Sequence, residues 1–391
     1  MESVVITDFG VSLHKTSERL VVRGPRPRLE LIEGGPQLLL PVDLPSAPPA
    51  LKVVSTKKAR QRKGPQEGSE ASDTRSIPKQ GPVLTEVPFF RISEIVVASS
   101  GVSISTDLIE ECCTRGIRIS FLTLGGQPYA MLSSPMLTAT VITRREQLAA
   151  YHDERGLELA RAVIRGKLNN QANLLKYFAK YLRASEADTL PQVEAAIRSM
   201  EGARRDAERV PGRTIDEARP SFLAIEGRAG KTYWQTVKLL LENRVPFEGR
   251  EHRGATDQVN AALNYGYGIL YAQVWGAIMN AGLEPFAGFL HVDRPGKPSL
   301  VLDLIEEFRQ PLVDRPVIAA FNKGTQLTMR NGLLDEASRR LVADSVLERL
   351  DSEVPFRGKR YRLRSIIQMQ ARAVASFVRR EGSYRSYSWK W

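Results

Sequence analysis

The sequence predicts an α+β fold, in which a small β domain at residues 1–132 precedes a larger α-helical domain at residues 133–391. Short β-prone runs such as SVVITD, RLVVR, FFRISEIVVASS and IRISFLTLGGQPYAML, separated by turn residues, predict the first domain. From about Thr143 onward, apolar residues recur at helical spacing with few strand signals, which predicts the second. With 391 residues, of which 42% are hydrophobic, the chain can bury at least one full-sized core.

Residues 43–83 interrupt the β pattern. This stretch is rich in Pro, Ser, Lys and Arg and has no sustained apolar period, so a disordered, basic insertion in the β domain is expected. Such a loop could contact DNA, or it could be an insertion that the fold merely tolerates.

The net charge of +12 and the pI near 9.7 favour a polyanionic partner, of which nucleic acid is the commonest. A basic protein without such a partner is the alternative. The two cysteines, Cys112 and Cys113, are adjacent and so provide no disulfide framework. The start MESVVITDFG resembles a strand rather than a leader, and a cytoplasmic protein is therefore expected.

An uncharged stretch at residues 260–282 is long enough to cross a bilayer. Its asparagines, glutamine and glycines lower its hydropathy, so a helix pair buried in a globular core is expected instead, without a membrane partner.

The stretch GFLHVDRPGKPSLVLDLIEEFR at residues 288–309 contains a predicted helix. Ser299 is expected to cap it and Phe308 to lie near its end, with Leu300 and Leu304 on the buried face.

Three acids, Asp303, Glu306 and Glu307, share the opposite face of that helix and repel one another, with Arg309 as the nearest cation in the segment. Either solvent or a bound cation must relieve the repulsion. His291 precedes a turn that could fold it over these acids. Histidine with carboxylates suits Mg²⁺ or Mn²⁺, although an acidic helix face is often only a solvated one.

A second candidate segment, residues 221–243, would place Glu226, Ala229, Gly230 and Tyr233 on one helix face. The small residues would leave the carboxylate in a cleared space suited to a ligand or phosphate. Close helix packing at the small residues explains the pattern equally well.

The run IEGRAGKT within this segment imitates a nucleotide-binding phosphate loop. Ile225 occupies the position of the first glycine, where a side chain would spoil the tight turn, and an acid follows where phosphates would lie. The alternation of strands and helices typical of a parallel sheet is also missing, which argues against a nucleotide hydrolase.

A third segment, residues 247–271, places Arg250 and Arg253 in a glycine-flanked loop before a helix, where guanidinium groups and free amides can bind phosphate. Asn260 and Asn264 on that helix are expected to fix its packing rather than to touch substrate.

Two stretches of the helical region together closely resemble the CRISPR-associated adaptation integrase family, whose members insert new spacers into CRISPR arrays. The stretches are EGRAGKTYW and FEGREHRGATDQVNAALNYGYGILYAQVWGAIMNAGLEPFAGFLHVDRPGKPSLVLDLIEEFRQPLVD. VVITDFGVSLHKTSERLVV, SSGVSISTDLIEECCTRGIRISFLTLGGQPYAML and the terminal SYSWKW resemble the same family, so the resemblance covers nearly the whole chain outside residues 43–83.

The resemblance implies metal-dependent DNA chemistry with a Mg²⁺ or Mn²⁺ ion. It assigns metal ligation to Glu226, His291 and Glu306, with Asp303 as a further catalytic residue. In such a reaction we expect Arg250 and Arg253 to bind DNA phosphates and Tyr233 to orient the scissile group or the 3′ end. Many family members have aspartate at the position of Glu306. Which of Asp303, Glu306 and Glu307 binds the ion directly therefore stays open.

The resemblance also implies a reaction and partners. A 3′-hydroxyl of a short DNA duplex, the prespacer, would attack a phosphodiester at the edge of a CRISPR repeat. Two integrase homodimers would be bridged by a small dimeric second adaptation protein. The competing interpretations are a general metal-dependent repair nuclease acting on branched DNA, and a non-catalytic DNA-binding subunit.

Overall fold

The structure is a computed structural model that describes residues 2–25, 28–32, 35–39, 81–132, 134, 141–242, 244–251 and 254–390. Strands dominate up to Leu132 and helices dominate from Val141, which confirms the α+β class. Of the predicted insertion, residues 43–80 lie outside the described residues, and Val83 already begins a strand.

The N-terminal region is built on two four-stranded sheets. Its elements, within the described residues, are β1 (Glu2–Ile6), β2 (Ser12–Thr16), β3 (Arg19–Arg23), β4 (Arg28–Ile32), β5 (Gly35–Leu39), β6 (Val83–Pro88), β7 (Ile92–Val97), β8 (Ser103–Ile104), α1 (Thr106–Thr114), β9 (Arg118–Leu122) and β10 (Pro128–Leu132). One sheet has the order β1–β7–β9–β10 and the other β6–β3–β2–β8, while β4 and β5 pair as a hairpin. Strand β1 runs parallel to β7 and β7 parallel to β9, whereas β10 returns antiparallel.

A separate apolar core joins these two sheets to α1. Leu13 and Leu20 of the second sheet, Ile95 of the first and Leu108 of α1 are fully buried in it. The α1 helix begins where the Ser105 hydroxyl accepts a hydrogen bond from the Leu108 amide at 3.4 Å, satisfying one of the free amides of the first turn.

The C-terminal region is mainly helical. Its elements are α2 (Val141–Ala150), α3 (Glu154–Ala184), α4 (Leu190–Glu208), α5 (Ile215–Leu241), α6 (Gln258–Asn280), α7 (Ser299–Ile305), a π-helical turn (Gln310–Asp314), α8 (Arg315–Asn322), β11 (Met329–Arg330), β12 (Leu333–Leu334), α9 (Glu336–Asp351), β13 (Glu353–Phe356), β14 (Lys359–Arg362) and α10 (Leu363–Val378). The small hairpins β11–β12 and β13–β14 interrupt the helices.

Helix α6 forms most of the uncharged stretch, as one continuous helix, so the expected helix pair is wrong. Most of its residues are buried among the other helices, as expected for a helix that is apolar on all sides. Among the described residues, no helix is both long and apolar enough to cross a bilayer.

Helix α7 is shorter than predicted. Its N-cap is Pro298, whose side chain cannot accept a hydrogen bond, and Ser299 is the first helical residue, with its hydroxyl donating to the Lys297 carbonyl at 3.4 Å. The helix ends at Ile305, and the chain then passes through a turn into the π-helical segment, where Pro311 lacks an amide for a regular helix. The predicted cap at Ser299 and the predicted end near Phe308 are therefore wrong, and Glu306 and Glu307 stand on a turn.

Candidate active site

Asp303, on α7, holds His291 in a fixed orientation. Asp303 Oδ2 accepts hydrogen bonds from the amides of Phe289 at 2.6 Å and Leu290 at 3.1 Å. Oδ1 accepts from the His291 amide at 3.0 Å and contacts its ring Nδ1 at 2.7 Å. Burial opposes protonation of the imidazole, but this carboxylate outweighs it and raises the pKa of His291. Because Asp303 engages Nδ1, Nε2 is the ring nitrogen that is left for a ligand.

Glu306 lies between two cations. Its Oε2 is 2.8 Å from the ammonium of Lys167 on α3, and its Oε1 is 3.1 Å from Nε of Arg309. Burial opposes ionisation, yet Arg309 and Lys167 hold the pKa of Glu306 at about 2. Oε2 is buried, and the Lys167 ammonium is the cation that faces it.

Glu226, on α5, reaches the same ammonium from the other side, as an ion pair with Lys167. The side chain of Glu226 is 19% exposed. One turn further along the helix, a Cβ added at Gly230 would meet nothing within 4 Å, and the same holds at Gly227. Open space therefore lies along the helix surface next to this carboxylate.

Glu226, Glu306 and His291 are donors of the kind that a divalent cation takes. Lys167 places a positive charge between two carboxylates, which is a position that a metal ion bound by both would take. The buried Oε2 of Glu306 and the oriented imidazole of His291 supply the oxygen and nitrogen donors that suit Mg²⁺ or Mn²⁺. Among the described residues, no three His, Cys, Asp or Glu side chains come close enough together to hold an ion. An ion shared by Glu226 and Glu306 would take the place of the ammonium.

Glu307 points away from this cluster into the protein. It is fully buried, and its carboxylate accepts from the Tyr384 hydroxyl, from the Tyr387 amide at 2.7 Å and from Gln370 Nε2 at 2.9 Å. Burial raises the pKa of Glu307 to about 7. Asp303 and Glu306 are buried as well, so the alternative of a solvated acidic face is wrong.

The three acids therefore have three different environments. Asp303 already accepts four N–H contacts and Glu307 is held by donors from the C-terminal region. Glu306 alone among them faces the cation position shared with Glu226.

Tyr233 does not reach the surface. It is fully buried, and its hydroxyl donates to Asp314 Oδ2 at 2.6 Å, while Tyr267 donates to the other oxygen of the same carboxylate. The prediction that Tyr233 contacts DNA is wrong for this structure, because the phenol belongs to a buried network.

Arg250 is also engaged within the protein. Its guanidinium donates to the side-chain oxygens of Asn260 at 3.0 Å and Asn264 at 2.6 Å and lies over the Tyr267 ring at 5.3 Å. The packing role expected for the two asparagines is confirmed by these contacts. Phosphate binding by Arg250 stays a prediction, and Arg253 lies outside the described residues.

Sequence reasoning missed Lys167. The residue lies on α3 between Gly166 and Leu168, both buried, and about 60 positions before Glu226. A lysine followed by Asn170 and Gln171 on the apolar face of a long helix was the available signal, since such polar residues need buried partners.

Comparison with known proteins decides the family. The family model described as CRISPR associated protein Cas1 matches residues 69–346. The CRISPR-associated endonuclease Cas1 1 of Archaeoglobus fulgidus is 36% identical over 327 residues, which cover 81% of this chain and 94% of that protein. The chain belongs to the Cas1 family. The resemblance given by the sequence motifs is thereby confirmed.

Solved structures similar to this chain share its fold. A casposase bound to integration product has a TM-score of 0.69 at 19% identity, over 99% of this chain and 94% of that one. A chain of a Cas6-RT-Cas1–Cas2 complex has a TM-score of 0.68 at 14% identity, over 99% of this chain and 36% of the other. At identities this low, the similarity to these two structures shows that the fold is shared and nothing more.

Proposed function

We propose that this Cas1 protein is a metal-dependent DNA integrase and endonuclease that joins short DNA duplexes to a CRISPR array. The observation that carries the proposal is the cation position between Glu226 and Glu306, with His291 oriented beside them by Asp303. Membership in a family whose relatives are named endonucleases supports DNA as the substrate.

Glu226, Glu306 and Nε2 of His291 would hold the Mg²⁺ or Mn²⁺ ion. When bound, the ion supplies charge stabilisation at the phosphate and activation of the attacking oxygen. Asp303 would keep the imidazole in the tautomer with Nδ1 protonated, so that Nε2 stays free to ligate. Arg309, whose guanidinium carbon lies 4.6 Å from the centroid of the Tyr267 ring, would keep Glu306 ionised.

The reaction we propose is a transesterification. The 3′-hydroxyl of the incoming duplex forms a new P–O bond with a repeat-edge phosphate, and the bond to the displaced 3′-oxygen breaks. The displaced oxygen leaves as a 3′-hydroxyl, so the number of phosphodiesters is unchanged and no nucleotide triphosphate is consumed. Water in place of the hydroxyl would give hydrolysis, which is the endonuclease activity.

Lys167 has a role that does not depend on how a metal ion would be coordinated. Its ammonium neutralises Glu226 and Glu306 while no divalent ion is bound, which limits the cost of two neighbouring carboxylates.

The partners we propose follow from the fold neighbours and the charge. A casposase holds an integration product, and a Cas1 chain is found with Cas2 in a complex. With a net charge of +12, this chain suits double-stranded DNA, both prespacer and repeat. We propose two homodimers bridged by a dimer of a small second adaptation protein.

A strand-transfer assay tests the function. The assay contains purified protein and a small second adaptation protein, with a short duplex that has free 3′-hydroxyls and a supercoiled plasmid that carries a CRISPR array. The mixture is incubated with Mg²⁺, Mn²⁺ or EDTA. We expect the duplex to become joined at repeat edges with either metal and not with EDTA. His291→Ala should abolish the joining while leaving DNA binding within about twofold, because the imidazole is needed only for the ion.

His152→Ala is the matched control, since His152 is an exposed histidine before α3 and should leave joining unchanged. Cleavage without joining, indifferent to the array, would replace the integrase by a repair nuclease acting on branched DNA. Metal-independent joining would contradict the assigned ligands.

A further inference from the structure

We propose that the C-terminal segment, residues 384–390, is a positioning element of the active site, and that it acts through Glu307 and Asn170 on the turn that carries Glu306. The inference rests on the proposed function, because it assigns Glu306 to the metal. Neither Glu307 nor Asn170 is placed at the reacting atoms. Both are positioning residues.

The segment is held by its aromatic side chains. Tyr387 and Trp389 are almost fully buried, and the Tyr387 ring stacks on Phe308 with centroids 5.3 Å apart and planes at 11°. Phe308 belongs to the same turn as Glu306 and Glu307. The terminal segment therefore packs directly on this turn rather than on a distant surface.

Glu307 is the polar anchor between the segment and the turn. Each of its three contacts comes from a donor: the Tyr384 hydroxyl, the Tyr387 amide and Gln370 Nε2. Two of these donors belong to the terminal segment. A carboxylate that accepts several hydrogen bonds in a buried site is held in one rotamer, and the adjacent residue of a tight turn is held with it.

Asn170 extends the anchor to α3. Its Nδ2 donates to the carbonyls of Glu307 at 2.8 Å and Tyr387 at 3.0 Å, and its Oδ1 accepts from the Trp389 amide at 2.8 Å. Lys167 lies three residues earlier on the same helix and contacts Glu306. The terminal segment thus bonds both to the turn bearing Glu306 and to the helix bearing its cation.

Gly166 shows that this packing is close. A Cβ at position 166 would lie 2.7 Å from Cβ of Ser386 and 3.3 Å from Cγ of Glu307. Any side chain there would push the terminal segment and Glu307 away from α3. Glycine in the middle of a long helix costs helix stability, and here it permits the approach of the segment.

The test uses the full-length protein with three substitutions. Glu307→Gln offers one acceptor oxygen to three donors, Asn170→Ala removes the bridge to α3, and Gly166→Ala inserts a methyl group at the contact. We expect each to weaken Mn²⁺ binding, measured by EPR titration, by about 10- to 100-fold, as for residues that orient metal ligands. Strand transfer should fall in parallel.

Two controls separate positioning from general stability. Asn280→Ala removes a hydrogen bond from α6 to the Gln368 side chain of α10 at 3.4 Å, outside the terminal segment, and Gly202→Ala adds a methyl group on α4, where the nearest atom is 4.0 Å away. Both should leave Mn²⁺ affinity within about twofold of wild type. Amide hydrogen exchange without added metal should rise at residues 303–308 in the three variants and stay unchanged in both controls.

The outcomes are distinguishable. Should Glu307→Gln fail to fold, Tyr384→Phe removes only one donor and should still lower Mn²⁺ affinity. The positioning role alone would be overturned by one combination of results. Wild-type protein would bind Mn²⁺ and join DNA, and the folded variants would keep the wild-type Mn²⁺ affinity and amide hydrogen exchange. Wild-type protein that neither binds Mn²⁺ nor joins DNA would overturn the proposed function itself.

Discussion

Oδ1 of Asp303 lies 2.7 Å from Nδ1 of His291 and 3.0 Å from the backbone amide of the same residue. One carboxylate oxygen therefore fixes both the ring and the main chain of the histidine, across twelve residues of sequence. Asp303 is 1% exposed, so no water competes for these bonds. The aspartate acts on the histidine, and Glu306 is left as the acid facing the cation position.

Asp303→Asn should lower Mn²⁺ affinity by about 10- to 100-fold while the fold persists. The amide has one acceptor oxygen, and its NH₂ group would face the amides of Phe289 and Leu290 or the ring of His291. EPR titration with Mn²⁺ measures the affinity. Asp206→Asn, at an exposed position on α4, is the control and should change nothing. Wild-type affinity in Asp303→Asn would show that imidazole orientation does not depend on this carboxylate.

Lys167→Met should destabilise the protein in EDTA by about 3 to 5 kcal/mol, because Glu226 and Glu306 lose their shared counter-charge in a largely buried site. Mn²⁺ should then raise the melting temperature of the variant more than that of wild type, since no ammonium has to be displaced. Thermal unfolding with and without Mn²⁺ measures both effects.

Lys176→Met provides the matched control on the same helix. Its ammonium pairs with Glu201 at 2.7 Å, with more than a third of each side chain exposed, and should be worth at most about 1 kcal/mol. Equal metal-induced shifts in wild type and Lys167→Met would rule out competition between the lysine and the ion.

Tyr233→Phe should cost about 1 to 3 kcal/mol of unfolding free energy, because it removes one of two phenol donors from the buried Asp314 carboxylate. DNA affinity, measured by fluorescence anisotropy on folded protein, should stay within twofold. Tyr181→Phe, at a tyrosine that is 55% exposed, should leave stability unchanged. Weaker DNA binding at unchanged stability would restore the predicted contact of Tyr233 with DNA.

Glu94 makes stability depend on pH. It lies on β7, fully buried, where it accepts from Ser120 at 2.9 Å and from Gln273 of α6. Burial raises its pKa above the ordinary value of about 4.5, although Arg118 lies 3.9 Å away. The folded protein therefore prefers the protonated acid, and the stability that this preference contributes is full below about pH 4.5 and is lost as the pH rises through the raised pKa.

Glu94→Gln removes this dependence. Urea unfolding should show the variant becoming more stable relative to wild type as the pH is raised from 4 to 8. The gain should be about 1.4 kcal/mol for each unit by which the pKa of Glu94 is raised. Glu158→Gln, at an exposed position, should differ from wild type by no more than about 0.5 kcal/mol at each pH. A pH-independent difference for Glu94→Gln would show that Arg118 already compensates the buried charge.

Local sequence predicted the helix that carries Glu226 but not the turn that carries Glu306 and Glu307. The space beside Glu226 follows from Gly230 one helical turn away, as predicted, whereas Ala229 and Tyr233, expected on the same face, are buried. α7 ends early in a turn of i→i+3 hydrogen bonds, followed by a π-helical segment, and apolar periodicity does not reveal either feature. Tyr233 was misassigned because its partner Asp314 is 81 residues away.

By itself, the sequence determined the order of β and α regions, the family and the group of residues around which the site is built, because periodicity, turn residues and motif spacing are local properties of the chain. Only the tertiary structure decided the separate roles of the three acids. Asp303 meets backbone amides near His291, Glu306 meets Lys167 from α3, and Glu307 meets the C-terminal segment 77 and more residues away. Whether a buried carboxylate binds an ion, orients a ligand or anchors a segment depends on which donors surround it, and those donors are brought together only by folding.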